Sequence, residues 1–398
     1  MADSPRDPVV PSPSPPTPGP GDPAGPAGSS PEESSPEGAA TASAAPEERD
    51  GAADGPTGTP TGAPAEAASD AASGPDPTPV VFAGDGASEE TPLRGRVAVT
   101  GSSGLIGSAL VRSLRADGYH VVPLVRHEAS NPDEVQWDPS GADVAQNATA
   151  LLGCDALVHL AGAGVGDHRW TAAYKEEIRD SRVFGTAALA EALATMDAPP
   201  RTWLCGSAVG FYGDTGDRPV DETAPPGEGF LADVCQEWEA AALPAAAAGV
   251  RVVHPRTGLV VARGGGAWGR LFPIFRAGLG GRLGNGRQYW SHISLHDHIA
   301  ALRFLLAEGA SAPGGPVNLT APEPVTNREV TRVMGQVLGR PTLFPVPAPA
   351  LRLALGEFAT DVLGSQRVLP RRLLDAGFTF VHPGVEDAVR AAWEGDAP

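Results

Sequence analysis

From residue 96 onward, the sequence predicts an α/β protein built on a doubly wound parallel sheet. Short apolar runs that fit buried strands alternate with stretches of helical periodicity. The strand runs are predominantly apolar, which is typical of parallel strands that helices cover on both faces. Three glycines, Gly101, Gly104 and Gly107, lie between the first strand and the first helix, where such sheets bind ligands.

The predicted elements follow in close succession. Strands are predicted at residues 97–100, 119–125, 155–160, 201–205 and 251–256. Helices are predicted between them at residues 108–117, 171–196 and 231–248. After residue 258 the pattern is looser, with a glycine-rich loop at 278–288, strands at 291–295 and 317–319, and helices at 297–308 and 327–338. A proline-rich loop and two or three helices are predicted at 341–393, so we expect a smaller α+β region in the C-terminal half.

Residues 1–93 have a different composition from the rest of the chain. They are rich in Pro, Ala, Gly, Ser, Asp and Glu, and they contain sixteen acids against two arginines. This segment therefore carries most of the chain's net charge of −19. Such a composition cannot bury enough apolar surface to offset the entropy of ordering, so we expect a disordered tail. The acidity argues against nonspecific binding to nucleic acid or to anionic lipid.

Other features of the composition indicate a cytoplasmic protein. The chain has no run of eighteen apolar residues that could span a bilayer, and its first residues lack the apolar core of a signal peptide. The three cysteines are odd in number and have no C-x-x-C spacing, which fits reduced, packed thiols. We expect a small molecule as substrate, with no nucleic acid or membrane as partner. The sequence leaves the oligomeric state open.

Residues 100–107 read T-G-S-S-G-L-I-G and join the first strand to the first helix. Glycines at this spacing permit a tight turn, a close approach of the backbone to a pyrophosphate, and close helix packing. The helix N-terminus then offers free N–H groups and a positive dipole end to the phosphates. This pattern predicts a Rossmann dinucleotide-binding domain. The residues expected to contact the cofactor are Gly101, Ser103, Gly104, Leu105, Ile106 and Gly107.

The end of the second strand predicts NADP(H) as the cofactor. An NAD site normally has an acidic residue there, which binds the ribose 2′-hydroxyl. This chain has Arg126 instead, whose guanidinium can pair with a 2′-phosphate. We therefore expect residues 94–260 to form an NADP-binding domain. Residues 261–340 would then be a substrate-side region, and residues 341–398 a C-terminal helical domain.

Several motifs resemble those of the short-chain dehydrogenase/reductase superfamily, on its extended, nucleotide-sugar-epimerase-like branch. They are the loop at 100–107, D-A-L-V-H-L-A-G (155–162), G-S-A-V-G-F-Y-G (206–213) and H-P-R-T-G-L-V-V (254–261). More narrowly, G-F-L-A-D-V-C-Q-E-W-E (229–239) is similar to a subfamily that joins an NAD-dependent epimerase/dehydratase domain to a C-terminal domain of unknown function.

The resemblance covers about residues 96–393. It implies a Rossmann fold, bound NADP(H), and an oxidoreductase or epimerase activity on an unidentified substrate, either a nucleotide sugar or another carbonyl compound. It also implies cofactor contacts from Leu160, Ala161 and Gly162.

The catalytic Tyr-x-x-x-Lys pair of that superfamily is absent. In the superfamily, the tyrosine transfers a proton to or from the substrate oxygen, and the lysine lowers the pKa of the tyrosine. When the sequences are aligned on Glu239, Leu231 takes the place of the tyrosine and Cys235 that of the lysine. Ser207 fits the position of the superfamily's serine, which helps to hold the substrate.

Three alternatives remain for the chemistry. Tyr212 could act as the phenol, with Lys175 or Arg182 as the cation, because those two residues share one face of a predicted helix. The site could instead bind NADP(H) without chemistry, as a sensor or regulatory protein. Finally, hydride could pass to a substrate that needs little acid/base help from the protein.

No metal site is predicted. His292, His296 and His298 lie close to Asp297 in sequence, but no further cysteine or paired carboxylate completes a zinc site. Asp297 is expected to cap the following helix.

Overall fold

The computed structural model describes residues 94–307 and 312–395. The predicted disorder of residues 1–93 falls outside the described residues. The strands are β1 Arg96–Thr100, β2 His120–Val125, β3 Val135–Gln136, β4 Ala156–His159, β5 Thr202–Cys205, β6 Ser207–Ala208, β7 Arg251–Thr257, β8 Leu259–Val261, β9 Tyr289–Trp290, β10 His292–Ser294, β11 Gly315–Leu319 and β12 Val325–Thr326.

The helices are α1 Leu105–Ala116, α2 Val144–Ala150, α3 Ala172–Thr195, α4 Phe230–Ala240, α5 Leu243–Ala247, α6 Gly266–Arg276, α7 Leu295–Leu306, α8 Asn327–Leu338, α9 Ala348–Leu355, α10 Ala359–Leu363, α11 Arg371–Asp375 and α12 Val385–Glu394. Two short 3-10 helices span Val209–Tyr212 and Gly356–Phe358. No helix of the described residues combines the length and the apolar character needed to cross a bilayer.

The main sheet has the strand order β11-β7-β5-β4-β1-β2-β3, and β6 pairs with β7 at its edge. Every pairing within this sheet is parallel. The chain runs outward from β1 in one direction and then returns to continue from β4 in the other. The reversal between β1 and β4 is the point at which doubly wound sheets bind ligands. The predicted fold class is confirmed.

Apolar clusters cover both faces of the main sheet. One joins the strands to α1 and α7 around Leu110 and Leu302, and the other packs α2, α3 and α5 around Leu157, Leu189 and Trp203. Burial on both faces explains why the strand runs are predominantly apolar.

A third apolar cluster builds the C-terminal half. It gathers Trp268 and Phe272 of α6, Met334 of α8 and Val389 of α12. The two-stranded pairs β8–β10 and β9–β12 accompany these helices. The last helix of the chain therefore packs against an element that lies before residue 340.

The structure corrects several predicted elements. The helix predicted at 231–248 is two helices, α4 and α5, with Pro244 in the first turn of the second. The predictions omitted α2 and α6, and four helices rather than two or three lie beyond residue 341. Helix α7 is capped by Ser294, whose hydroxyl accepts the N–H of Asp297 at 2.9 Å. Asp297 instead accepts the N–H groups of Val381 and His382, because it is completely buried and needs two donors.

Candidate active site

The loop after β1 has the geometry that its glycines predict. Gly101 has a φ of +65°, and a Cβ there would lie 2.8 Å from the carbonyl carbon of Leu160. A Cβ on Gly107 would overlap the carbonyl oxygen of Gly101. Gly104 is the N-cap residue of α1, and no side chain bonds to this helix end. Because Ser103 and Gly104 are exposed, the amides of the first turn of α1 face an open surface.

Thr100 ties the end of β1 to the end of β4. Its hydroxyl lies 2.7 Å from Nδ1 of His159 and accepts the N–H groups of Leu160 and Ala161 at 3.1 and 3.3 Å. The His159 ring is fully buried, and burial lowers its pKa to about 3. His159 is therefore a neutral core residue that fixes the chain just before Leu160, Ala161 and Gly162.

Arg126 lies exposed directly after β2. Among the described residues, no hydrogen bond or ion pair engages its guanidinium. This side chain is therefore available to an anion at the end of β2.

The two positions of the missing pair are packed in apolar surroundings. Leu231 and Cys235 project from α4 toward Gly210, where a Cβ would lie 3.3 Å from the Leu231 Cβ and 3.8 Å from the Cys235 sulfur. Cys235 is only 4% exposed, and burial raises the pKa of its thiol to about 11. Neither residue can transfer a proton at neutral pH.

Ser207 and Tyr212 belong to a buried network centred on Arg256. The Arg256 guanidinium bonds both carboxylate oxygens of Glu239 at 2.8 Å and donates to the Tyr212 hydroxyl at 2.9 Å. The Ser207 hydroxyl donates to Glu239 at 2.6 Å, and the Tyr212 hydroxyl donates to Asn318 at 2.8 Å. Burial is the largest cause of a raised pKa for Tyr212.

Glu239 and Asn318 were not predicted as polar partners in this network. Arg256, near the end of β7, was the available signal, because a buried guanidinium requires a carboxylate partner.

Lys175 and Arg182 share a face of α3 but have different environments. The Lys175 ammonium pairs with Glu357 at 2.6 Å and lies 4.6 Å from the centre of the Phe230 ring. The Arg182 guanidinium lies 5.2 Å from the Trp238 ring and beside Gly162, and it donates to the carbonyl oxygen of Ile178.

Arg182 contacts no carboxylate in the part of the chain that the structure describes. Burial lowers its pKa, and Cys235 is among the groups near enough to influence it electrostatically. Neither Lys175 nor Arg182 is a hydrogen-bond partner of Tyr212. The structure therefore does not bring Tyr212 together with either cation.

A loop and the C-terminal helices cover the N-terminal ends of α3 and α4. Trp170 packs between Phe230 and Phe358, with ring centres 5.0 and 5.3 Å away. Arg169 donates to the carbonyl oxygen of Leu353 at 3.3 Å. Residues beyond 350 therefore contribute directly to this side of the site.

The strand order, the glycine loop and the backbone tie between β1 and β4 define a dinucleotide-binding protein of the Rossmann type. The family model described as NAD dependent epimerase/dehydratase family matches residues 97–320, and a model of a domain of unknown function, DUF1731, matches residues 346–392. The chain belongs to the NAD dependent epimerase/dehydratase family. The resemblance seen in the sequence motifs is confirmed.

Relatives of similar architecture include an epimerase family protein of Mycobacterium leprae, 45% identical over 297 residues, which are 74% of this chain and 95% of the relative. A crystal structure of human epimerase family protein SDR39U1 (isoform 2) with NADPH has 33% identity and a TM-score of 0.68, covering 75% of this chain and 99% of that one. The crystal structure of a nucleoside-diphosphate sugar epimerase from Corynebacterium glutamicum has 36% identity and a TM-score of 0.62. The match covers 76% of this chain and 59% of that one.

Proposed function

We propose that this protein binds NADP(H) and acts as an epimerase-like oxidoreductase on a small carbonyl or nucleotide-sugar substrate. The observation that carries the proposal is the open end of α1, where a glycine turn with no capping side chain leaves first-turn amides for a pyrophosphate. The human relative crystallised with NADPH supports the choice of cofactor, and the name of the Corynebacterium relative supports the substrate class.

Arg126 selects the phosphorylated adenosine in this proposal. Its exposed guanidinium at the end of β2 pairs with the 2′-phosphate, where an acidic residue would have favoured NAD(H). Gly101 to Gly107 hold the diphosphate, and residues 160–162 line the adenosine side of the cofactor. The three buried, unpaired cysteines support a cytoplasmic, reducing location.

Arg182 takes the role of the missing lysine. It is half-buried, it has no carboxylate partner among the described residues, and it lies near the Cys235 position on α4. Lys175 is less suited to this role, because Glu357 already pairs with its ammonium. The Arg182 guanidinium would bind the ribose and nicotinamide end of the cofactor from α3.

Ser207 holds the substrate oxygen in the proposed reaction. Its proton points to Glu239 at 2.6 Å, so that carboxylate can accept the proton when Ser207 takes one from a substrate hydroxyl. Arg256 keeps Glu239 in position, and the Tyr212 hydroxyl accepts a further hydrogen bond from Arg256. A bound nicotinamide would supply the hydride chemistry at the substrate carbon.

Titration with NADPH and NADH, followed by fluorescence, tests the cofactor assignment. We expect NADPH to bind at least about tenfold more tightly, which corresponds to about 1.4 kcal/mol for the phosphate contact. Arg126→Met should remove that preference, while Arg115→Met, which removes an exposed arginine paired with Asp133, should leave it unchanged. Equal binding of NADH by the unaltered protein would refute the assignment.

Turnover of NADPH with a panel of carbonyl compounds and nucleotide sugars tests the chemistry. Arg182→Met should lower kcat by about 100-fold, whereas Lys175→Met should change it less than about threefold. Tight NADPH binding with no turnover of any compound would favour the second candidate function, a non-catalytic NADP(H) sensor. The apolar packing of Leu231 and Cys235 is the observation that favours this alternative.

A further inference from the structure

One groove of the structure shares no residue with the candidate active site. It is a groove of about 920 Å³ between α8 and residues 339–345, and its charged lining consists of Arg282, Arg328, Arg332 and Arg340. We call it the arginine groove. Among the described residues, no acidic side chain lines it.

The arginine groove lies in a basic part of an acidic chain. Residues 261–340 contain nine arginines and four acidic residues, whereas the whole chain has a net charge of −19. Outside residues 261–340, arginines are commonly paired with carboxylates, as in Arg256 with Glu239 and Arg390 with Glu386. A local excess of positive charge is therefore concentrated here.

Most guanidinium groups in the groove have backbone partners only. Arg282 and Arg328 both donate to the carbonyl oxygen of Asn285, at 3.2 and 3.4 Å, and Arg340 donates to that of Arg276 at 2.9 Å. Within the described residues, only Arg332 of the four pairs with a carboxylate, that of Glu329. The carbonyl bonds orient three guanidinium groups without neutralising them, which leaves their charge available to a ligand.

The backbone on both sides of the groove is held in close contact. A Cβ on Gly335 of α8 would lie 2.6 Å from the Thr342 side chain and 3.0 Å from the Arg340 carbonyl oxygen. A β-bridge joins Leu283 to Val346 on the other side. The groove is thus part of the fold and needs no rearrangement to accept a ligand.

Large apolar side chains lie exposed beside these charges. Leu343 is 74% exposed, Phe344 58% and Leu279 62%. Leu343 itself lines the groove. Exposed apolar groups next to arginines are typical of protein-binding surfaces, in which aromatic residues and arginine are enriched.

We propose that the arginine groove binds an acidic peptide segment of a partner protein. Carboxylates of the peptide pair with Arg282, Arg328 and Arg340, and an apolar side chain of the peptide packs on Leu343 and Phe344. A nucleic acid fits less well, because the exposed apolar side chains of Leu343 and Phe344 offer a sugar-phosphate backbone no partner.

A defined probe tests this proposal on the full chain. The probe is a short fluorescein-labelled peptide of alternating glutamate and leucine that ends in phenylalanine, and binding is followed by fluorescence anisotropy at low salt. We expect saturable binding that weakens as salt increases. The double variant Arg282→Glu/Arg340→Glu should lose at least about tenfold in affinity, because it replaces two attractions with two repulsions.

Arg371→Glu is the matched control, because Arg371 is an exposed arginine on α11, outside the groove. It should bind the peptide as the unaltered protein does. Unchanged NADPH binding by the double variant would show that it is folded.

The proposal would be overturned if the peptide shows no saturable binding, or if a peptide with glutamine in place of glutamate binds equally well. A single-stranded oligonucleotide that binds as tightly as the peptide would also overturn it, because it would indicate a general polyanion site. Self-association of the protein that the double variant abolishes would overturn it as well, because it would indicate an interface between copies of this chain.

Discussion

The carboxyl ends of β1, β2 and β4 differ from those of β5 and β7 in the atoms that they offer. On the first side, glycines expose backbone amides, and Arg126 has no partner among the described residues. On the second side, Ser207 and Arg256 both donate to Glu239, and Arg256 also donates to Tyr212. A binding surface made of backbone depends on glycine spacing, which a sequence displays directly. A surface made of side chains depends on partners distant in the chain, which only the fold brings together.

The largest effect is expected from breaking the network on the second side. Arg256→Met leaves the Glu239 carboxylate buried without its cation, and Arg256 itself is only 3% exposed. Removing one partner of such a pair lowers the free energy of unfolding by about 3–5 kcal/mol. Urea denaturation followed by circular dichroism measures this change. The control Arg371→Met removes one partner of an exposed pair and should cost less than about 1 kcal/mol. If both variants lower the free energy of unfolding by the same amount, the network around Arg256 is not what stabilises the second side.

The second-largest effect is expected on the first side, at the carboxyl end of β1. In Gly101→Ala, the new methyl group would lie 2.8 Å from the carbonyl carbon of Leu160, at a φ of +65°. The turn must shift, so we expect NADPH to bind at least about 100-fold more weakly, or about 2.7 kcal/mol. Gly118→Ala is the matched control, because Gly118 also has a positive φ but its Cβ would meet no atom within 4 Å. NADPH affinity of Gly101→Ala within a small factor of that of Gly118→Ala would contradict the assignment of the loop.

The same contrast explains what the sequence could predict. The parallel sheet could be predicted from predominantly apolar strand runs, and the nucleotide-binding loop at 100–107 from the spacing of Gly101, Gly104 and Gly107. The partners of Ser207 and Tyr212 could not be predicted, because Glu239 lies 32 residues and Asn318 106 residues away in the chain. Helix α6 was not predicted because it contains Gly266 and Pro273, two residue types that disfavour helices. In the fold, the aromatic core around Trp268 stabilises it.

A third experiment asks whether Arg182 occupies the place of the missing lysine. Cys235→Lys would put an ammonium close to the Arg182 guanidinium, in buried surroundings where like charges repel strongly. The substitution should destabilise the protein, and Arg182→Met in the same chain should recover about 1–2 kcal/mol of that loss. Unfolding free energies of the two single variants and the double variant give this coupling. A coupling near zero would place Arg182 too far from α4 to replace the lysine.

The smallest effect concerns Asp361, a half-buried residue of α10 next to the Lys175–Glu357 pair. Burial, aided by the charge of Glu357, raises the pKa of its carboxyl group from 3.8 to about 6, against the opposing effect of Lys175. The folded state therefore holds this proton where the unfolded state has lost it. Stability from this group is present below pH 4 and is lost as the pH rises through about 6.

Asp361→Asn should remove this dependence on pH. We expect its Tm to exceed that of the unaltered protein by about 2–5 °C at pH 7.5, and by much less at pH 4.5. Asp375→Asn, which removes an exposed carboxylate, controls for the loss of one negative charge. A Tm gain that is equal at both pH values would mean that the carboxyl group of Asp361 titrates normally. Turnover of the same variant then tests whether Asp361 serves the reaction, because a carboxyl group that is retained at a cost in stability is expected to have such a role. If the Asp361→Asn protein is more stable but turns over more slowly, the result would identify Asp361 as a proton donor. It would act on the side of the site where Leu231 and Cys235 supply none.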